Sequence, residues 1–216
     1  MEAFRSFLKI AGYNAKIIFG WNLAAAIGIC ILSALLFDLH YLAFNDIAQI
    51  GELYLSILGI LLLPGLGKIE EKTNSCEIIY GKMRSYLPIW ILRFILSSVV
   101  VFSLIAGVIL YARMNHGDFD FFAVTGGVFI SALYLGLTGL TASNLQQEPS
   151  VGYIVSFGYY MFEYFSRGRY TSAFYVFSLL SHDYRPKYVL LAISSLLLLL
   201  NVIFLKYRHF RGTPLD

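Results

Sequence analysis

Charge is what this chain has least of. Only 13% of its 216 residues are Asp, Glu, Lys or Arg, against 58% hydrophobic, and the mean hydropathy is +0.71. A soluble domain of this length carries about 25% charged residues, because its surface has to be covered with polar groups however large its core. The deficit excludes a soluble fold and points to an integral membrane protein. Cysteine is nearly absent too. Cys30 lies in an apolar run and Cys76 in a polar loop, contexts too different for a disulfide and without metal-ligand spacing, so both read as packing and loop residues.

Chemical signatures are equally scarce. There is no Gly-rich phosphate loop, so the chain does not bind ATP by itself in the usual way. Neither a GxSxG elbow nor an HExxH helix occurs. The four histidines, His40, His116, His182 and His209, are scattered. The segment HGDFD (116–120) offers His116, Asp118 and Asp120, and reads as a solvated turn before it reads as a cation site. No low-complexity tract, repeat or long linker divides the chain, which is taken as one transmembrane domain over 1–216.

Apolar runs are abundant. About 20 residues cross a hydrocarbon core, and runs at 17–37, 47–66, 88–112, 119–142 and 188–205 suffice; a sixth, at 151–165, suffices if extended by a few residues. The first run is longer than a signal-peptide core and is expected to stay in the membrane. A seventh patch, YTSAFYVFSLL at 170–180, is too short to span and reads as a shallow, re-entrant element. The expectation is therefore an all-α membrane protein with six transmembrane helices. Lys and Arg in short loops set orientation. Arg5, Lys9 and Lys16, then Lys68, Lys72, Lys82 and Arg84, then Lys206, Arg208 and Arg211 fall on one side, which makes both termini cytoplasmic. Arg167, Arg169, Arg185 and Lys187 in the external segment 166–187 oppose that pattern.

Residues 1–16 show Glu2, Arg5, Lys9 and Lys16 on one helical face and Phe4, Phe7, Leu8 and Ala11 on the other, the pattern of an amphipathic interfacial helix or of a basic flank that orients the first span. Small-residue stripes at Gly20, Ala24, Gly28 and at Gly127, Ser131, Ala132, Gly136 suit close helix packing. Charges inside the runs stand out because they are costly there. Glu52 lies about a turn into the second run and Arg93 into the third, while Glu163 and Arg167 are spaced to pair on one face; snorkelling to the interface is the simpler account of all four.

The exception to this oiliness is KIEEKTNSCEIIYGKMRSYLPIW, residues 68–90, with seven charges between Lys68 and Arg84. Asn74 followed by Glu77 resembles a capping box, Cys76, Ile78, Ile79 and Tyr80 form a short apolar ridge, and Gly81 stops it. A lone helix this short is unstable in water and needs something to dock against.

With these residues the chain resembles the permease subunit of type-2 ATP-binding-cassette (ABC) exporters. The resemblance covers the whole chain in architecture and about 25 residues in motif: Glu70, Glu71, Thr73, Glu77, Ile78, Ile79, Lys82 and Arg84, with Arg93 early in the third run. Lys72 replaces the usual Gly before the Thr, and Met83-Arg84-Ser85 departs from the usual order. The resemblance implies an N-terminal connecting helix (1–16), a cytoplasmic coupling helix within 68–87 and a short external re-entrant element within 166–187. It further implies two separate ATPase subunits holding ATP and Mg, no cofactor in this chain, and pairing with a second copy or a sibling permease. Nucleic acid is not an expected partner; membrane lipid is.

The ATPase contact is then expected at Glu70, Glu71, Thr73, Glu77, Ile78, Ile79, Lys82 and Arg84, supported by Arg5 and Lys9, in the plasma membrane. Glu52, Tyr153, Phe157 and Tyr160 are the candidate lining of a pathway for an amphipathic or apolar cargo, such as an antimicrobial peptide or lipid-like molecule, moving outward. Two other readings stand beside this one: a non-catalytic membrane scaffold or immunity protein, and an intramembrane peptidase using Glu52, Glu70 or Glu71.

Overall fold

The computed structural model describes residues 20–68 and 87–211 and is all-helical over them, apart from one isolated parallel bridge, Ala43 to Asp118. In chain order the elements are α1 (Trp21–Leu36), α2 (Phe44–Ile50), a π turn (Gly51–Leu55), α3 (Ile57–Leu62), a 3-10 turn (Pro64–Lys68), α4 (Leu87–Met114), α5 (Phe121–Gln146), α6 (Pro149–Ser166), two further 3-10 turns (Ser172–Phe174 and Ser178–Ser181) and α7 (Arg185–Arg211). Among the described residues, four helical segments are long and apolar enough to cross a membrane: Phe44–Leu66, Leu87–Met114, Phe121–Gln146 and Arg185–Lys206. The protein is thus a helical membrane protein. α1, at 16 residues, and α6, at 18, coincide with the other two apolar runs.

α5 is the axis of the assembly. It meets α3, α4, α6, α7 and the 3-10 turn at 64–68, and residues around its whole circumference are buried, from Val124 and Val128 to Leu137 and Leu140. A helix apolar on every side belongs at a centre, and its small residues let the neighbours come near. A Cβ at Gly59 would strike the Ala132 carbonyl, and one at Gly136 would strike Leu63 and the Gly59 carbonyl, so α3 lies almost backbone to backbone on α5. Gly139 and Gly152 do the same for α5 and α6, with Pro64 wedged beside both.

Helix ends follow local chemistry. Asp120 caps α5 by accepting from the amides of Phe122 (3.0 Å) and Ala123 (3.3 Å). Gln147, left-handed at φ 60°, closes the helix, and Pro149 opens α6 in its first turn, giving a two-residue turn between them. Arg167 ends α6 in the left-handed region. By contrast α4 and α7 carry long outward rows, Ile95, Val99, Phe102 and Leu110 on one and Leu196, Leu199, Leu200 and Ile203 on the other, as lipid-facing surfaces would.

The two small-residue stripes part company. Gly127 is covered by Leu179 and Gly136 by Leu63, so the α5 stripe is a packing seam, whereas Gly20 and Gly28 have open space around them. Cys30 is a buried core residue. The segment 170–180 folds back onto the helices, burying Val176, Phe177 and Leu179 almost completely.

Candidate functional site

The most concentrated polar chemistry among the described residues lies at the end of the helices where α5 and α7 begin. Glu52 sits in the π turn that interrupts the second apolar segment, and is fully buried. A π turn adds a residue to a helical turn and re-aims what it carries; here Gly51 lies against Val128 and the Ser56 hydroxyl returns to the Glu52 carbonyl at 2.5 Å. Glu52 forms an ion pair with Lys187, which is 2% exposed near the start of α7.

Each ion has further partners. The Lys187 ammonium also donates to Ser131 Oγ and to the Val176 carbonyl, both at 2.5 Å, so all three of its protons are placed. The Glu52 carboxylate accepts from the backbone amides of Leu179 (3.2 Å) and Leu180 (3.3 Å). Ser131 donates to the Val176 carbonyl at 2.9 Å. Isolating either ion in an apolar interior would be costly; together, with their remaining sites hydrogen-bonded, they meet the condition under which a buried pair is tolerated.

A serine in contact with a lysine invites comparison with a nucleophile–base dyad. The geometry speaks against that use. Lys187 is ion-paired and spends its protons on three acceptors, Ser131 is itself bonded to a backbone carbonyl, and both are buried beneath the 172–181 segment. Glu52 likewise is fully buried with both oxygens engaged, and its ion pair with Lys187 holds it away from a peptidase role.

Beside this pair, Glu163 of α6 is fully buried and accepts from the Thr171 hydroxyl at 2.9 Å. It does not pair with Arg167 as the four-residue spacing suggests: Arg167 has left the helix, and it is its backbone amide that bonds to the Glu163 carbonyl at 3.0 Å. Arg93 of α4 is buried within the protein at 3% exposure. His116 stacks on Tyr41, while Asp120 caps α5, so HGDFD is organised as a turn.

The aromatic residues of α6 divide by face. Gly152, Ser156, Tyr160 and Glu163 form its buried stripe. The Tyr160 hydroxyl donates to the Leu53 carbonyl at 2.7 Å and its ring meets Phe177 edge-on. Phe157 stacks on Tyr160 but is 46% exposed. The Tyr153 hydroxyl lies over Gly65 and accepts from Asn22 of α1 at 2.8 Å. Tyr153 and Tyr160 thus tie α6 to α1 and to the second apolar segment, Glu52 ties that segment to α7, and Phe157 lies on the outside. The expected ATPase-contact residues Glu70, Glu71, Thr73, Glu77, Ile78, Ile79, Lys82 and Arg84, and Arg5 and Lys9 of the connecting helix, lie outside the described residues.

At the opposite end of the α5–α7 contact a neutral cluster does the joining. Asn144 donates to Asn201 at 2.6 Å, and Asn201 donates to Thr141 Oγ1 and the Leu197 carbonyl, each at 2.8 Å. A groove of about 310 Å³ lies over it, walled by Leu145, Leu200, Ile203 and Phe204.

Lys187 is the functional candidate that sequence reading passed over. It stands one position before the last apolar run, among the external basic residues, whereas Glu52 lies about a turn into the second; opposite charges near the external ends of two runs are the available signal. No protein-family model, curated protein or solved structure matches the chain.

Proposed function

We propose that the chain is the permease subunit of a type-2 ABC exporter, working with two separate ATPase subunits and a second permease copy or sibling. The observation that carries this reading is the element order. Helical segments occupy all six apolar runs, the one strongly charged stretch connects the second to the third, and a compact segment between α6 and α7 packs back onto the helices. That is the arrangement of spans, coupling loop and re-entrant element the resemblance implies. The open surroundings of Gly20 and Gly28 on α1 support close approach of a second permease.

In this reading both termini are cytoplasmic, in the plasma membrane. ATP-driven closure of the ATPases pushes on residues 70–84, with Glu77 and the Ile78–Ile79 ridge making the contact and Arg5 and Lys9 supporting it. The second apolar segment carries that push toward Glu52. The cargo is amphipathic or apolar, such as an antimicrobial peptide or lipid-like molecule, and moves outward. A strongly charged cargo would find few fixed charges to replace its water, whereas the outward aromatics of α6, Phe157, Phe162 and Phe165, suit adaptable apolar contact.

The test is flux in sealed vesicles holding the chain and the ATPase that co-purifies with it. ATP-dependent movement of an apolar peptide, with Glu77→Lys weakening co-purification or uncoupling hydrolysis from flux, is the expected outcome. Movement of small hydrophilic ions or sugars alone, or ATP hydrolysis by the chain without a partner, would overturn the reading. A scaffold or immunity protein would show no ATP-dependent flux with its partners bound.

A further inference from the structure

The clamp around Glu52 and Lys187 has a property that simple helix packing does not require: both ions hold the backbone of the same loop. Glu52 takes the amides of Leu179 and Leu180, and Lys187 takes the carbonyl of Val176. Charges of these signs, in these places, suit those groups, and Ser131 adds a second donor to the Val176 carbonyl. A carboxylate at 187 would face a carbonyl, and an ammonium at 52 would face two N–H donors.

The loop so held is bounded by left-handed residues. Arg167 (φ 50°) and Gly168 (φ 71°) precede it and His182 (φ 54°) follows it. Gly168 is required twice over: its φ suits glycine, and a Cβ there would press into the Tyr175 ring. Chain reversals of this kind at both ends of a segment are where a hinge absorbs a change of φ and ψ. Between them, no regular helix longer than four residues stabilises the loop locally, since it contains only the 3-10 turns Ser172–Phe174 and Ser178–Ser181.

The loop's inner side is nonetheless among the best-buried surfaces of the molecule. Leu179 covers Gly127, Phe177 meets Tyr160 and Tyr175 edge-on, and Val176 is fully buried. The buried Ser178 hydroxyl has no partner in this closed arrangement. Opening would hydrate it, so closure depends on the clamp, on the Thr171 hydroxyl bonded to Glu163 of α6, and on the apolar contacts.

We propose that residues 169–181 form a hinged lid over this end of the helices and that the Glu52–Lys187 pair is its latch. The lid opens as a unit about Arg167–Gly168 and His182 while the helices stay assembled. Its movement exposes Gly127, Ser131 and Tyr160, so that the faces of α5 and α6 beneath it become accessible. The lid holds whether or not the chain works with an ATPase, and it is measured without one.

The experiment places Val176→Cys in the full-length chain, with Cys30 and Cys76 replaced by alanine, in lipid nanodiscs where both faces are reachable, and follows reaction with a water-soluble maleimide. Leu140→Cys, fully buried in α5 among Leu63, Leu66 and Trp90 and away from the loop, reports opening of the helices themselves. With the pair intact, position 176 should react at least about tenfold faster than position 140, because a local opening costs less than a global one. Equal rates mean that the segment opens only with the whole protein, and that overturns the lid.

Lys187→Met, the doubly apolar Glu52→Leu/Lys187→Met and the swapped Glu52→Lys/Lys187→Glu should each raise the rate at 176 by a further tenfold or so, and by more than any rise at position 140. The swapped chain keeps an ion pair but loses the backbone contacts. Protection retained at 176 in any of these that remains monodisperse, or an equal rise in Asn201→Leu at the opposite end, overturns the latch.

Discussion

The two ends of the α5–α7 contact are both joined by buried polar side chains, and they are joined differently. At one end Lys187 and Glu52 are charged, reach a third helical segment and hold the backbone of a loop. At the other Asn144, Asn201 and Thr141 are neutral and bind essentially each other. A buried ion pair is an all-or-none device: the whole is near neutral against a well-packed apolar replacement, but either half alone is strongly unfavourable. A neutral amide ladder is graded, because interhelical hydrogen bonds in membranes average well under 1 kcal/mol each, near 0.6. The ionic end therefore suits a part with two discrete states and the amide end suits a permanent joint.

That contrast is broken most severely by Lys187→Met, which leaves Glu52 buried and uncompensated. It should cost about 3–5 kcal/mol, read as a large loss of melting temperature in a fixed detergent, with the double apolar variant recovering most of it. Failure of the second substitution to rescue the first would show that packing around Lys187, and not charge, sets the cost.

A milder break is Asn201→Leu, which removes the acceptor of Asn144 and the donor to Thr141. The expected loss is about 1–2 kcal/mol, by the same melting measurement, and it should add to the Lys187→Met effect because the sites share no partner. Strong non-additivity would mean that the two ends communicate through α5.

Smaller still is Tyr160→Phe, which deletes the bond to the Leu53 carbonyl while keeping the ring against Phe177; about 0.5–1.5 kcal/mol is expected. Reversible unfolding in mixed micelles resolves a change of that size. Asn22→Leu sharpens the comparison at its lower limit. The Asn22–Tyr153 bond is exposed, so its removal should shift stability by no more than about 0.5 kcal/mol; a larger loss would mean that α1 depends on this one contact for its place beside α6.

Residue chemistry alone determined that this is a membrane protein and where its helices run. A chain with 13% charge and long apolar runs partitions into lipid whatever its tertiary arrangement, and in lipid its backbone must bond to itself as helices. The runs read at 47–66, 88–112, 119–142 and 188–205 match the helical segments Phe44–Leu66, Leu87–Met114, Phe121–Gln146 and Arg185–Lys206 to within a few residues. Glu52 also stood out by cost alone.

Which faces meet was decided by the tertiary structure. Two similar small-residue stripes came out differently, Gly127 and Gly136 packed and Gly20 and Gly28 open, because the motif permits close approach without naming a partner. Tyr160 turned inward and Phe157 outward though they sit three residues apart. The partner of Glu52 proved to be Lys187, 135 residues away, and not a neighbour on its own helix. Such pairings depend on how helices rotate against one another and on a loop folding back between them, and both are set by the sum of many contacts distant in sequence, which helical period and hydropathy do not encode.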